Sequence, residues 1–316
     1  MNFNFLDKLP TGINIFGIHI TFYAIIILCG ALLALYLAAF EARKEGYSWD
    51  FFSTVFFIAF PSGIIGARIW YVIAEWNSGG FANDFLEIFR IWDGGLAIQG
   101  GAIGGILAGA LTVKYLRKGA DVLRSIDYAV PGILIGQAIG RWGNFFNFEV
   151  YGFEVSRNAW NFLPNFVLNQ MQVTTSNPSL INVPLFLVES IINICGYLII
   201  MHFIIPLMKQ KNVYHGGDGF CLYFTWYGIV RSILEPMRNS NFIMGNENVY
   251  ASSIMAYCFI AIGLALFVLN RFLPKILKAK KCLYTDKKRH RRHRNIPPVS
   301  TGGMLRKTSM PKIKLF

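Results

Sequence analysis

Long apolar runs separated by polar stretches dominate the chain. Seven of them lie at about 19–40, 51–74, 95–116, 127–147, 183–205, 218–237 and 249–270. Each approaches the roughly 20 mostly apolar residues that a helix needs to cross a ~30 Å hydrocarbon layer. The pattern predicts an all-α polytopic membrane protein with about seven transmembrane helices. The stretch before the first run holds one Lys against one Asp, and the run lacks an A-x-A site, so it reads as a retained span, not a cleaved signal peptide. Pro61, Pro131 and Pro236 are expected to bend their spans. Two longer connections, about 75–94 and 148–182, are rich in Asn, Gly and aromatic residues.

Composition agrees. Of 316 residues, 54% are hydrophobic and only 15% charged, which excludes an ordinary soluble domain, while the 16% aromatic content excludes a disordered body. The net charge of +13 resides in the tail: residues 271–316 carry fifteen Lys/Arg against Asp286, whereas residues 1–270 carry fifteen basic and sixteen acidic groups. The chain therefore divides into a transmembrane domain, 1–270, and a polybasic, disordered tail, 271–316. A tail of this kind is attracted to anionic membrane lipid; RNA binding is the weaker reading, and no specific nucleic-acid partner is expected.

The tail and the loops also predict orientation. Loops after the first, third and fifth spans hold Arg43, Lys44, Lys114, Arg117, Lys118, Arg124, Lys209 and Lys211; the opposite side holds Lys8, Arg90, Arg157 and Arg238. The bias places the C-terminus in the cytoplasm and, with an odd number of spans, the N-terminus outside.

Charged side chains inside spans are costly and mark functional sites by default. Arg68, Arg141, and Arg231 with Glu235 come late in the second, fourth and sixth spans; Tyr23, Gln99, and Glu189 with Asn193 come early in the first, third and fifth. Alternating span direction puts both sets in the outer half, predicting one polar cavity that faces the outer leaflet. Arginine keeps its charge when buried and presents a planar fork suited to phosphate, so the cavity is expected to bind an anion. Glu235 lies four residues after Arg231 and is placed to neutralise it, Arg141 has no acid four residues away, and Arg68 is close enough to its span end to snorkel. Gly101, Gly105 and Gly109 have small-xxx-small spacing for close helix packing, and the run from Gly94 to Gly101 offers backbone N–H groups to an anion. Five scattered cysteines and five histidines show no metal-ligand spacing. No metal or cofactor is expected.

The stretch Gly140-Arg141-Trp142-Gly143-Asn144-Phe145-Phe146-Asn147-Phe148-Glu149-Val150-Tyr151-Gly152 fits G-R-x-G-N-F-x-N-x-E-x-x-G and resembles the signature of the bacterial prolipoprotein diacylglyceryl transferases. Further matches are Tyr23, the Gly-Ala-Arg68 turn, Gly94 to Gly101, Asp127, and the segment Tyr227-Gly-Ile-Val-Arg231-Ser-Ile-Leu-Glu235-Pro-Met-Arg238. The resemblance spans about residues 15–270 and leaves out the tail. It implies transfer of the diacylglyceryl group from phosphatidylglycerol to the lipobox cysteine thiol of a prolipoprotein signal peptide. The products are a thioether and glycerol phosphate, and the enzyme works in the bacterial plasma membrane with its active site towards the outer leaflet.

The resemblance also implies roles. Arg141, Asn144 and Arg231 hold the lipid phosphate; Tyr23, Gln99, Tyr227 and Glu235 are catalytic or orienting; Arg68, Asn147, Glu149, Gly152 and Arg238 support them. Many family members carry His at the position of Gln99, and Gln takes no proton at neutral pH. The base is therefore left open, with Glu235 as one option and unassisted ionisation of the thiol in an arginine-rich site as another. A transporter of anionic lipid or phosphate is the rival reading, although its path would need polar groups at several depths.

Overall fold

The computed structural model describes residues 9–15, 18–76, 81, 84–91, 95–116, 120–174, 177–239 and 253–272. The polybasic tail beyond 272, and the side chain of Gln99, lie outside the described residues. A short hairpin, β1 (Gly12–Ile15) and β2 (Ile18–Thr21), leads into α1 (Phe22–Arg43), α2 (Trp49–Ala74), α3 (Ile98–Leu116) and α4 (Val122–Asn147). The segment after α4 contains β3 (Glu154–Ser156), α5 (Asn165–Gln170), β4 (Gln172–Thr174) and β5 (Asn177–Asn182). α6 (Leu185–Leu198) continues through a π-helical turn, Ile199–Ile204, into α7 (Ile205–Gln210), which ends before α8 (Asp218–Leu234); α9 is Ser253–Phe272.

The structure is mostly helical, and five helices have the length and composition to cross a membrane: α1, α2, α4, the α6–α7 rod Leu185–Gln210, and α9. The remaining two expected spans are helical but shorter. In α3 the apolar stretch is Gly100–Leu116. The 17 residues of α8 rise about 26 Å at 1.5 Å each. Pro236 does not bend that helix from within: α8 stops at Leu234, and Pro236 sits in the 3₁₀ turn Glu235–Met237.

The mostly helical structure agrees with the expected all-α class, and among the described residues two small sheets accompany the helices. The connection 148–182 is built around an antiparallel sheet in the order β3-β5-β4, with Val155 and Gln172 both opposite Ile181. The sheet forms because Ile181 is buried with Val167, Leu168 and Met171 against Phe145 and Phe186 at the ends of α4 and α6. Gln170 clamps it there, donating to the Phe145 carbonyl at 3.0 Å. The β1–β2 hairpin takes residues 19–21 from the expected first span, so α1 starts at Phe22, capped by Thr21, whose hydroxyl accepts from the Ala24 N–H at 3.3 Å.

α4 is central and packs against α1, α6 and α8. The outside of the bundle carries exposed Leu28, Leu32, Phe57, Ile73, Leu107, Phe203 and Ile233, while Asn193, Glu189, Asp127 and Glu235 are buried within. Apolar exterior with polar interior suits lipid as solvent. α2 and α3 approach most closely at Gly66, Gly100 and Gly104: a Cβ on Gly66 would lie 2.5 Å from the Gly100 carbonyl oxygen, and one on Gly104 2.6 Å from that of Ser62. Gly101, Gly105 and Gly109 are on the neighbouring stripe, at ordinary contact distances from α2. At the opposite end of α4 Asp127 caps α8 from outside, accepting from the N–H groups of Gly217 (2.7 Å) and Phe220 (3.1 Å) and from the Tyr214 hydroxyl (2.6 Å).

Candidate active site

The start of α1, the end of α4, the start of α6 and the end of α8 meet at one end of the bundle. Tyr23 lies against Gly143, where a Cβ would be 2.5 Å from the tyrosine ring, and Phe22 packs on Phe146 at 5.3 Å. Trp142 and Phe145 of α4 pack on Phe186 of α6 at 5.1 and 4.6 Å. Val183 and Leu185 join Val230 and Leu234 of α8 in a small apolar cluster. These contacts fix the backbone beneath the charged side chains.

Arg141 projects from α4 between two partners. Its Nη2 donates to Glu189 Oε1 at 2.7 Å, and its Nη1 to Asn144 Oδ1 at 3.2 Å. Asn144 in turn donates through Nδ2 to Glu149 Oε1 at 2.8 Å. Glu149 reaches back because the chain reverses sharply after α4: Phe148 and Val150 both have positive φ, 51° and 55°, and the Glu149 N–H donates to the Asn144 carbonyl at 3.0 Å. Left-handed backbone at two non-glycine residues costs about 1–3 kcal/mol each and persists only where its surroundings hold it. Arg141 is thus charge-paired, contrary to what its own helix suggests: the acid lies on α6, a distance that spacing along one helix does not reveal.

Arg231 and Arg238 flank Glu235. Arg231 Nη2 donates to Glu235 Oε2 at 2.6 Å, and Arg238 Nε approaches the same oxygen at 3.4 Å. The Glu235 side chain is 0% exposed, those of Arg231 and Arg238 only 12% and 13%. Arg231 Nη1 is buried with no hydrogen-bond partner among the described residues. Burial first, then the charge of Arg231, push the Arg238 guanidinium down to about 10; Glu235 and Glu189 oppose the shift and Arg141 adds to it. Arg238 stays protonated near neutral pH, and its neighbours place all five groups in one electrostatic cluster.

Gly152 positions Arg238. The two residues face each other in an isolated antiparallel bridge, flanked by hydrogen bonds from Phe153 N to the Met237 carbonyl (3.1 Å) and from Asn239 N to that of Tyr151 (3.1 Å). A Cβ on Gly152 would lie 2.7 Å from Val183 Cβ and 2.9 Å from the Met237 carbonyl oxygen. Gly152→Ala is expected to force these segments apart and lower stability by about 1–3 kcal/mol, measured by unfolding in detergent micelles.

Several expected residues stand apart from the cluster. Arg68, 7% exposed, donates through Nε to the Ile88 carbonyl (2.9 Å), through Nη1 to that of Gly95 (3.0 Å), and through Nη2 to that of Glu87. It neither snorkels nor joins the other arginines; it ties Glu87, Ile88 and Gly95 to α2. Tyr227 stacks on Tyr223 at 6.0 Å, one turn from Arg231. Asn147 closes α4 and is half-buried. Glu189, which the sequence places in the same polar cavity without assigning it a role, is the partner of Arg141.

Three guanidinium groups thus gather around two buried carboxylates, and Nη1 of Arg231 has no hydrogen-bond partner among the described residues. A family model for prolipoprotein diacylglyceryl transferase matches residues 10–269. Proteins named phosphatidylglycerol–prolipoprotein diacylglyceryl transferase from Streptococcus agalactiae serotype Ia and Streptococcus pyogenes serotype M5 are 37% and 39% identical over 262 residues. That is 83% of this chain, and 96% and 95% of theirs. By the match over this length, the chain belongs to the prolipoprotein diacylglyceryl transferase family.

Proposed function

We propose that this chain transfers the diacylglyceryl group of phosphatidylglycerol to the lipobox cysteine thiol of a prolipoprotein, and that the arginine cluster is where it does so. The cysteine sulfur attacks the glycerol carbon that bears the phosphate. A carbon–sulfur bond forms, the carbon–oxygen bond breaks, and its electron pair leaves on the oxygen of glycerol phosphate; the thiol proton passes to water or to the departing phosphate. The leaving group gains charge as the bond breaks, so cations aimed at it stabilise the transition state more than the ground state. The observation that supports this most is the buried Arg231 Nη1, without a partner among the described residues, in one cluster with Arg238 and Arg141.

In this reading Arg231, Arg238 and Arg141 receive the phosphate, Asn144 and Glu149 fix Arg141, and Glu235 fixes the other two guanidiniums. Tyr23 and Tyr227 line the approach, with Gln99 as an orienting group. All seven helices of the expected spans cross the bacterial plasma membrane, with the cluster towards the outer leaflet, where the exported signal peptide arrives; the Lys/Arg bias of the loops supports this orientation. The tail is held near anionic lipid on the cytoplasmic side.

The test is full-length protein in vesicles of phosphatidylglycerol with a lipobox peptide. A peptide heavier by one diacylglyceryl group, in thioether linkage and matched by free glycerol phosphate, is the expected product by mass spectrometry. Lipid or phosphate crossing the bilayer without a thioether product would favour the transporter instead.

A further inference from the structure

One helical turn deeper than the arginine cluster, α4, α6 and α8 enclose a layer of polar atoms without partners among the described residues. Asn193 of α6 is 0% exposed, and neither its Nδ2 nor its Oδ1 has a hydrogen bond. Trp226 Nε1 of α8 and Gln137 Oε1 of α4 are also buried and unpaired. Three contacts tie the layer together. Gln137 Nε2 donates to the Tyr223 hydroxyl at 3.1 Å, joining α4 to α8; Ser190 Oγ donates to the Ala138 carbonyl at 2.6 Å, joining α6 to α4. Trp226 Nε1 presses on α6 so closely that a Cβ on Gly196 would lie 2.2 Å from it.

Unpaired polar atoms in an apolar interior are costly, and native structures pair nearly all of them. Several in one layer beside an anion site point to an occupant. We propose that this layer binds the ester carbonyls of the diacylglyceryl group. The inference rests on the transferase reading above and extends it from the lipid phosphate to the glycerol backbone.

Depth and chemistry both fit. Gln137 precedes Arg141 by four residues, Asn193 follows Glu189 by four, and Trp226 precedes Arg231 by five. At 1.5 Å per residue the layer is about 6–8 Å towards the middle of the bundle. In a glycerophospholipid the nearer ester carbonyl is five bonds from phosphorus, roughly 6 Å at about 1.5 Å per bond along a bent path. A phosphate on Arg231 and Arg141 would therefore bring its esters to this level. Ester carbonyls only accept hydrogen bonds. The Asn193 amide and the Trp226 indole supply donors, and the Gln137 amide turned by 180° keeps its bond to Tyr223, now as acceptor, while presenting its NH₂. An ordered water is the rival occupant, since it satisfies donors and acceptors alike.

The test compares initial transfer rates from diester phosphatidylglycerol and from its diether analogue of equal chain length, which lacks both carbonyls. The full-length wild type in vesicles is expected to have a kcat/KM at least about tenfold higher for the diester. Asn193→Leu and Trp226→Phe are expected to lower the diester rate while sparing the diether rate, so that the ratio falls towards one. A wild-type ratio near one overturns the proposal. So does an equal loss on both lipids, the result for a water-filled or purely packing layer. Trp226→Phe, which keeps the bulk of the ring, decides the matter should Asn193→Leu fail to accumulate in folded form. Absence of transfer from either lipid by the wild type overturns the transferase reading along with this one.

Discussion

Arg231→Ala is expected to slow diacylglyceryl transfer by about 10³-fold or more, with the protein still inserted and monodisperse in detergent. Loss of one preorganised donor at a developing negative charge typically costs 10²–10³ in rate, and here a whole guanidinium is removed from a buried site. The loss should appear mainly in kcat, because the charge it meets grows as the carbon–oxygen bond breaks. Arg231→Lys keeps the charge but not the fork that spans Glu235 and an anion, so it should recover only part of the rate. Arg141→Ala should be similarly inactive, and less stable, since it leaves Glu189 buried without its 2.7 Å partner. Initial rates in phosphatidylglycerol vesicles, with size-exclusion profiles as the folding control, check all three; near-normal turnover in both alanine variants would remove the phosphate-clamp role.

Glu235→Ala is expected to have the largest effect on stability. The carboxylate is 0% exposed and serves two guanidiniums, at 2.6 and 3.4 Å. Without it two buried cations lose the carboxylate that lies between them. Removing one member of a buried ion pair commonly costs 3–5 kcal/mol, about what is expected here. Thermal unfolding in detergent should show the loss. Raising the phosphate concentration should restore part of it, because an anion bound between Arg231 and Arg238 takes the place of the missing carboxylate. Wild-type stability in the variant would mean that the two arginines do not depend on Glu235.

The helical body was legible because apolar runs of about 20 residues admit few other structures, and each of the seven runs contains a helix. What a hydropathy pattern cannot show is pairing across chain distance. The sheet of 148–182 exists because Ile181 and Met171 meet the ends of α4 and α6, a contact invisible in a stretch that reads as polar loop. The same limit explains the site. Glu235 was placed correctly beside Arg231 because four residues make one turn, but Glu189 belongs to Arg141 through the packing of α6 on α4. Depth in a span singled out Arg68, yet its donors are taken by backbone carbonyls of the segment it holds. Arg238 lies past the end of α8 and looked like a loop residue; the bridge to Gly152 turns it back into the cluster.

The most direct test of the account is a structure of the full-length protein with phosphatidylglycerol bound. The phosphate is expected within hydrogen-bond distance of Arg231 Nη1, with Arg238 or Arg141 as a second ligand. A catalytically competent complex with its phosphate elsewhere, for example in the polar cavity at the other end of α4 lined by Glu45, Tyr128 and Lys209, would contradict it.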